Sequence, residues 1–104
     1  MSFGIMGGPM QPQGHVQMMV RIFSYKQNPQ AACDAPRWHV TSDFKLALEP
    51  GIPAKVAREL EKRGHVFLRK YRSGIFGGGQ FIYCLDNGYL AASDSRKDGL
   101  AIGF

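Results

Sequence analysis

Cysteine is scarce in this sequence. Cys33 and Cys84 lie in different segments with no CxxC spacing, which excludes a disulfide-stapled scaffold and a paired-thiol metal site. Two buried thiols are the expectation. Long apolar runs are missing too: the longest holds about five residues, against the roughly 20 that a bilayer-spanning helix needs. The opening stretch, Met1 to Gly8, has no basic segment and too short an apolar one to read as a secretion signal. His15, His39 and His65 fall in separate segments, and no HxxxH, HExxH or Cys/His set has zinc spacing. No metal and no cofactor is therefore expected. Serine and threonine together number seven, and none sits in a GxSxG elbow. Internal repeats and low-complexity tracts are absent.

What remains is an ordinary globular composition. The 104 residues are 44% hydrophobic and 20% charged, which also rules out a disordered tail and a coiled coil. Residues 1–104 read as a single domain. Thirteen Lys+Arg against eight Asp+Glu give a net charge of +5. The densest basic cluster is Arg69, Lys70 and Arg72 around Tyr71. Such a cluster could contact phosphates and stack a base. No RNP, KH, helix-turn-helix or zinc-finger signature accompanies it, so it reads as a solvated edge that discourages strand pairing. Neither nucleic acid nor membrane is expected as a partner.

Local patterns suggest an α+β order. Residues 2–8 read as a short strand entering a glycine turn, and 9–14 as a proline-punctuated loop. Val16, Met19, Val20 and Phe23 share one helical face, which predicts a buried helix there. Asn28-Pro29 is a cap followed by a first-turn proline, opening a short helix that runs to Asp34 before Pro36. Residues 37–41 alternate as a strand, as do Phe44, Leu46 and Leu48. Pro53 to Arg63 predicts a helix burying Val56, Ala57 and Leu60, with a Lys55/Glu59 pair outside and Gly64 ending it. Residues 65–68 suggest a strand, and 80–85 and 89–93 a hairpin about Asp86-Asn87-Gly88, with Asn-Gly at the centre of the turn. The apolar strand beside a doubly buried helix implies a sheet covered on both faces.

Two glycine clusters invite chemical readings. Gly77-Gly78-Gly79 lacks the following helix and the GK[ST] of a phosphate loop, so a bulge or tight strand entry is the better reading. Gly7-Gly8 reads first as a plain turn and second as a pair of N–H groups able to hold an oxyanion. Cys33 has no neighbouring base that would favour a thiolate.

The run Gly4-Ile5-Met6-Gly7-Gly8-Pro9-Met10-Gln11-Pro12-Gln13-Gly14-His15-Val16-Gln17 resembles the C-terminal part of the small subunit of γ-glutamyltranspeptidases (γ-glutamyltransferases), and more closely their bacterial γ-glutamyltranspeptidase-like branch. The resemblance continues through Asn28 to Ala32, Asp34-Ala35-Pro36-Arg37-Trp38, Leu48-Glu49, Leu60 to His65, Gly78-Gly79-Gln80 and Ala91 to Arg96, in order and at matching spacing. It implies a fragment of an N-terminal-nucleophile hydrolase, an αββα sandwich of mixed or antiparallel sheets with two main helices here. It implies a self-cleaving precursor whose small subunit opens with a nucleophilic threonine, its own amine acting as base. The γ-glutamyl group of a glutathione-like amide would pass to water or to an amine. Thr41, the only threonine present, does not match that position. Gly7 and Gly8 match the family's oxyanion-hole glycines. Pro9-Met10 stands where glutathione-cleaving members carry a polar pair, and Ser95 where a proline precedes the arginine. An amide acylase of the same superfamily is therefore an alternative, as is a catalytically inert, self-associating module. The implied partners are the rest of the small subunit and the large subunit, with a homo-oligomer as a further expectation. By itself the chain is expected to be inactive.

Overall fold

A three-stranded antiparallel sheet joins the start of the chain to its last third. The computed structural model describes residues 1–103. Strand β1 (Ser2–Met6) pairs with β4 (Gly78–Leu85), and β4 with β5 (Gly88–Ser93), in the spatial order β1-β4-β5. Ser2 stands opposite Ile82 and Met6 opposite Gly78, while Gln80 stands opposite Ser93. A second, two-stranded antiparallel sheet is formed by β2 (Trp38–Val40) and β3 (Leu46–Leu48). Three α-helices complete the α+β arrangement: α1 (Met10–Met19), α2 (Pro29–Asp34) and α3 (Ala54–Lys62). Ile5, Met18, Ile22, Ala32, Cys33, Phe81 and Ala92 make the core, with Phe3 stacked on Phe81 at 5.2 Å.

Helix α1 starts at Met10, inside the stretch expected to be a loop, and Pro12 lies in its first turn, where a missing N–H costs nothing. Its inner face is not the one that apolar spacing selects. Val16, Met19, Val20 and Phe23 are exposed, Val16 at 56%. Met10, Gly14, Gln17 and Met18 point inward instead. The physical reason is the surface it meets. Gln13 Nε2 donates to the Val40 carbonyl at 2.9 Å and Gln13 Oε1 accepts from the Val40 N–H at 2.7 Å. One turn later, Gln17 makes the same pair of bonds with Trp38 at 2.9 and 3.1 Å. Two amides four residues apart thus pair the open edge of β2, as a neighbouring strand would. Gln30 of α2 does the same at Ser93, at 2.9 and 3.1 Å. Gly14 lets α1 approach β1: a Cβ there would lie 2.6 Å from Ile5 Cγ2. A π-helical turn, Val20–Ser24, extends α1.

Several expectations hold in detail. Asn28 caps α2, its Oδ1 accepting from Gln30 N–H at 2.8 Å, with Pro29 in the first turn. Gly64, at φ +92°, follows α3, with His65 N–H donating to Leu60 and Gly64 N–H to Glu61. That is a Schellman stop. Others are corrected. Helix α3 has no fully buried residue, Val56 is exposed, and Ala57 and Leu60 are only partly covered. Its surface ion pair is Glu59–Arg63, not Lys55/Glu59. The segment 65–68 contributes a single parallel bridge, Leu46 to Phe67. Phe44 leaves the β3 pattern for a turn at φ +59° and is 86% exposed. The β4–β5 turn centres on Asp86-Asn87, and the positive φ falls on Gly88 at +152°. On β4, Phe81 is buried while Gln80, Ile82 and Cys84, which alternate with it, are exposed, so one face of the sheet stands open. The molecule measures 47 × 25 × 20 Å. No helix among the described residues is long and apolar enough to cross a membrane.

The two thiols also divide. Cys33 is buried, and Cys84 is exposed on β4. Burial, with the neighbouring Asp94 charge, pushes the Cys33 thiol up to about 12. An aromatic disulfide reagent at neutral pH is expected to titrate Cys84 promptly and Cys33 only after denaturation. Two fast thiols in the folded protein would contradict this.

Candidate functional site

Strand β1 ends at Met6, and the chain turns through Gly7 (φ +132°) and Gly8 (φ +55°) before entering α1. The Gly7 carbonyl accepts from Met10 N–H at 3.0 Å and the Gly8 carbonyl from Gln11 N–H at 2.9 Å. These bonds tie the turn to the N-terminal end of the helix. Both glycines are exposed, and among the described residues neither of their N–H groups has a protein acceptor. Two consecutive donors beside the positive end of a helix dipole can stabilise an oxygen that gains negative charge. Gly7 also packs closely: a Cβ on it would lie 2.9 Å from Gly77 Cα. At Gly8 a Cβ would meet nothing within 4 Å.

Beneath the turn lies the 76–79 segment, and beneath that a buried ionic network. Arg37 and Asp94 are both fully buried and pair at 2.6 Å. Arg37 donates further to the Phe76 carbonyl at 2.9 Å and the Cys33 carbonyl at 3.1 Å. Asp94 also accepts from Gly79 N–H at 2.7 Å and, through its other oxygen, from Arg96 N–H at 2.9 Å and Arg96 Nη1 at 3.0 Å. Arg96 grips Glu49 through two parallel bonds of 2.7 and 2.6 Å, and Glu49 accepts from the Arg37 backbone N–H at 2.8 Å. Burial pushes the Asp94 carboxyl up, but the N–H groups of Arg96 and Gly79 and the Arg37 charge outweigh it and hold the group below the usual carboxylate range. Burial lowers Arg96, yet Glu49 and Asp94 raise it beyond its ordinary value. Nothing in the composition marks this network. Its only trace in the sequence is that all four residues fall within the segments Asp34–Trp38, Leu48-Glu49 and Ala91–Arg96 that carry the family resemblance.

The other residues with chemical potential are not brought together. His15 Nδ1 lies 2.6 Å from the Gln11 carbonyl, and His39 Nδ1 lies 3.4 Å from Met10 Sδ. His65 is exposed just after the end of α3. No group of three His, Cys, Asp or Glu side chains among the described residues could hold a metal ion. The Thr41 hydroxyl is tied locally to Asp43 and to Lys45 N–H. Tyr71 donates to the Leu48 carbonyl at 2.5 Å and meets Phe76 edge-on, which removes it from the basic cluster as a stacking platform.

The family described as Gamma-glutamyltranspeptidase matches residues 1–104. A curated relative, the glutathione hydrolase-like YwrD proenzyme of Bacillus subtilis (strain 168), is 28% identical over 97% of this chain and 21% of that protein. Among solved structures, a cephalosporin acylase from Bacillus halodurans is 44% identical with a TM-score of 0.86, over 94% of this chain and 19% of the other. A highly active mutant of gamma-glutamyltranspeptidase from Pseudomonas nitroreducens shares the fold, with a TM-score of 0.84 at 21% identity over 98% of this chain and 54% of the other. The chain thus spans about a fifth of the curated relative and of the acylase.

Proposed function

We propose that this chain, which belongs to the gamma-glutamyltranspeptidase family, supplies the oxyanion-stabilising turn of an enzyme that cleaves amides by acyl transfer. The Gly7–Gly8 turn carries the reading: exposed, set against the start of α1, with two N–H groups that no described protein atom engages. A nucleophilic hydroxyl adding to the amide carbonyl places negative charge on its oxygen. Donors set in advance favour that state over the neutral amide. Collapse expels the amine, and water or a second amine then takes the acyl group. The family resemblance assigns the hydroxyl to a threonine opening the small subunit, a role for which the locally tied Thr41 is unsuited. The rest of the small subunit and the large subunit would cover the apolar side chains left open on α1 and β4.

The family's γ-glutamyl amides are the first substrate class. A second reading, an acylase acting on other amides, is favoured by the 44% identity to the cephalosporin acylase and by Pro9-Met10 after the glycines. Assay of the assembled enzyme on a γ-glutamyl anilide and on a cephalosporin side-chain amide separates the two. The chain alone is expected to turn over neither. In the assembled enzyme, Gly8→Ala tests the turn itself, because its methyl meets no neighbour while φ +55° costs a side chain about 1–2 kcal/mol. Re-aiming the N–H is expected to lower kcat at least about 10-fold, toward the roughly 10²–10³-fold that loss of one donor costs, with KM little changed. An unchanged kcat would overturn the oxyanion reading.

A further inference from the structure

We infer that Arg37 and Asp94 are positioning residues for the Gly7–Gly8 turn, an inference that rests on the oxyanion reading above. The ion pair holds the 76–79 segment at both ends. Arg37 Nη1 takes the Phe76 carbonyl at 2.9 Å, and Asp94 Oδ2 takes the Gly79 N–H at 2.7 Å, while Asp94 N–H returns to the Gly79 carbonyl at 3.0 Å. Between those fixed points lies Gly77, whose backbone is the floor of the turn. A Cβ on Gly7 would come within 2.9 Å of Gly77 Cα, and one on Gly77 would meet the Met6 carbonyl oxygen. The floor and the turn are therefore in direct backbone contact with no side chain between them to absorb a shift.

Packing alone does not require this arrangement. A buried ion pair is often replaceable by apolar side chains without loss of stability. What apolar side chains cannot do is hold a carbonyl and an N–H three residues apart at set distances. Arg37 offers a planar fork of donors, so one nitrogen reaches Phe76 while the other reaches Asp94 and Cys33. Arg96 and Glu49 hold Asp94 and the Arg37 backbone in turn. Displacement of an oxyanion donor by a fraction of an ångström weakens the transition state more than substrate binding.

The test uses the assembled enzyme with a γ-glutamyl anilide, well below each variant's unfolding temperature. Arg37→Lys keeps the charge opposite Asp94 but loses the fork. It is expected to lower kcat by about 10- to 100-fold with KM unchanged. Ile22→Ala, a core truncation away from the 76–79 segment, is expected to lower the unfolding temperature without that loss of kcat. A folded Arg37→Lys enzyme with kcat within twofold of the parent overturns the proposal, as does an equal kcat loss in Ile22→Ala. Should Arg37→Lys not fold, Asp94→Asn is judged by the same criterion. In the 104-residue chain, the amide resonances of Gly7 and Gly8 give a readout independent of activity. They should move in Arg37→Lys and stay in Ile22→Ala, and unmoved resonances overturn the positioning role. If Gly8→Ala leaves kcat unchanged while these resonances do move, the oxyanion reading has failed and the structural coupling stands.

Discussion

Asp94→Ala is expected to lower the unfolding free energy by about 3–5 kcal/mol, the cost of leaving one member of a buried ion pair without its partner. Arg37 is fully buried, and among the described residues Asp94 is the only carboxylate paired with it. The substitution also strips the acceptor from Gly79 N–H. For a domain near this size each kcal/mol shifts the melting temperature by about 4–8 °C, so thermal unfolding monitored by circular dichroism reads the effect directly. A loss under about 1 kcal/mol would mean that Arg37 finds water or another acceptor. The pH dependence follows from the same group. Because the folded carboxyl sits below its ordinary value, its contribution is complete above about pH 4 and is lost as pH falls through the folded value. His39 is lowered by burial. Its contribution is complete above about pH 6.5 and is lost as the ring is forced to take a proton below that. Acidification should therefore weaken the parent in two stages, and Asp94→Ala should keep the upper one and diminish the lower, to which Asp43, held low by Lys45 and Thr41, also contributes.

Gly77→Ala is the second large effect, expected to cost about 3–4 kcal/mol. Gly77 lies at φ +69° and ψ −157°, a region almost closed to residues with a Cβ. The added methyl would also collide with the Met6 carbonyl oxygen, a backbone atom that cannot move without opening the β1–β4 pairing beside Gly78. Gly64→Ala is the control. It too has positive φ, at +92°, but its Cβ would meet nothing within 4 Å, so only the conformational cost of about 1 kcal/mol applies. Denaturant midpoints of the two variants separate strain from collision. Equal midpoints would mean that β1 yields at Met6 without penalty.

Elements specified by neighbouring residues were legible in the sequence. The Asn28-Pro29 cap, the Gly64 stop, the strand entry at Gly78 and the β4–β5 hairpin each depend on backbone angles and hydrogen bonds within a few residues. The inner face of α1 was not legible from apolar spacing, because that spacing assumes an oily neighbour. The actual neighbour is the open edge of β2, and Gln13 and Gln17 answer it with amides. The exposed Val16, Met19, Val20 and Phe23 then form the outer face. Cys84 and Val56 were misplaced for a related reason: an apolar side chain says that it prefers cover, not that this chain supplies it.

By itself, then, the sequence determined the α+β order, the family, and the two glycines that open the way from β1 into α1. The tertiary structure decided what lies beneath them. Arg37, Glu49 and the Asp94/Arg96 pair come from three separate segments and meet only when β5 turns back beside α2. Charges so far apart in sequence leave no periodic signal. Their partnership is set by the low-dielectric interior, where a buried guanidinium must find a carboxylate and a fixed set of carbonyls.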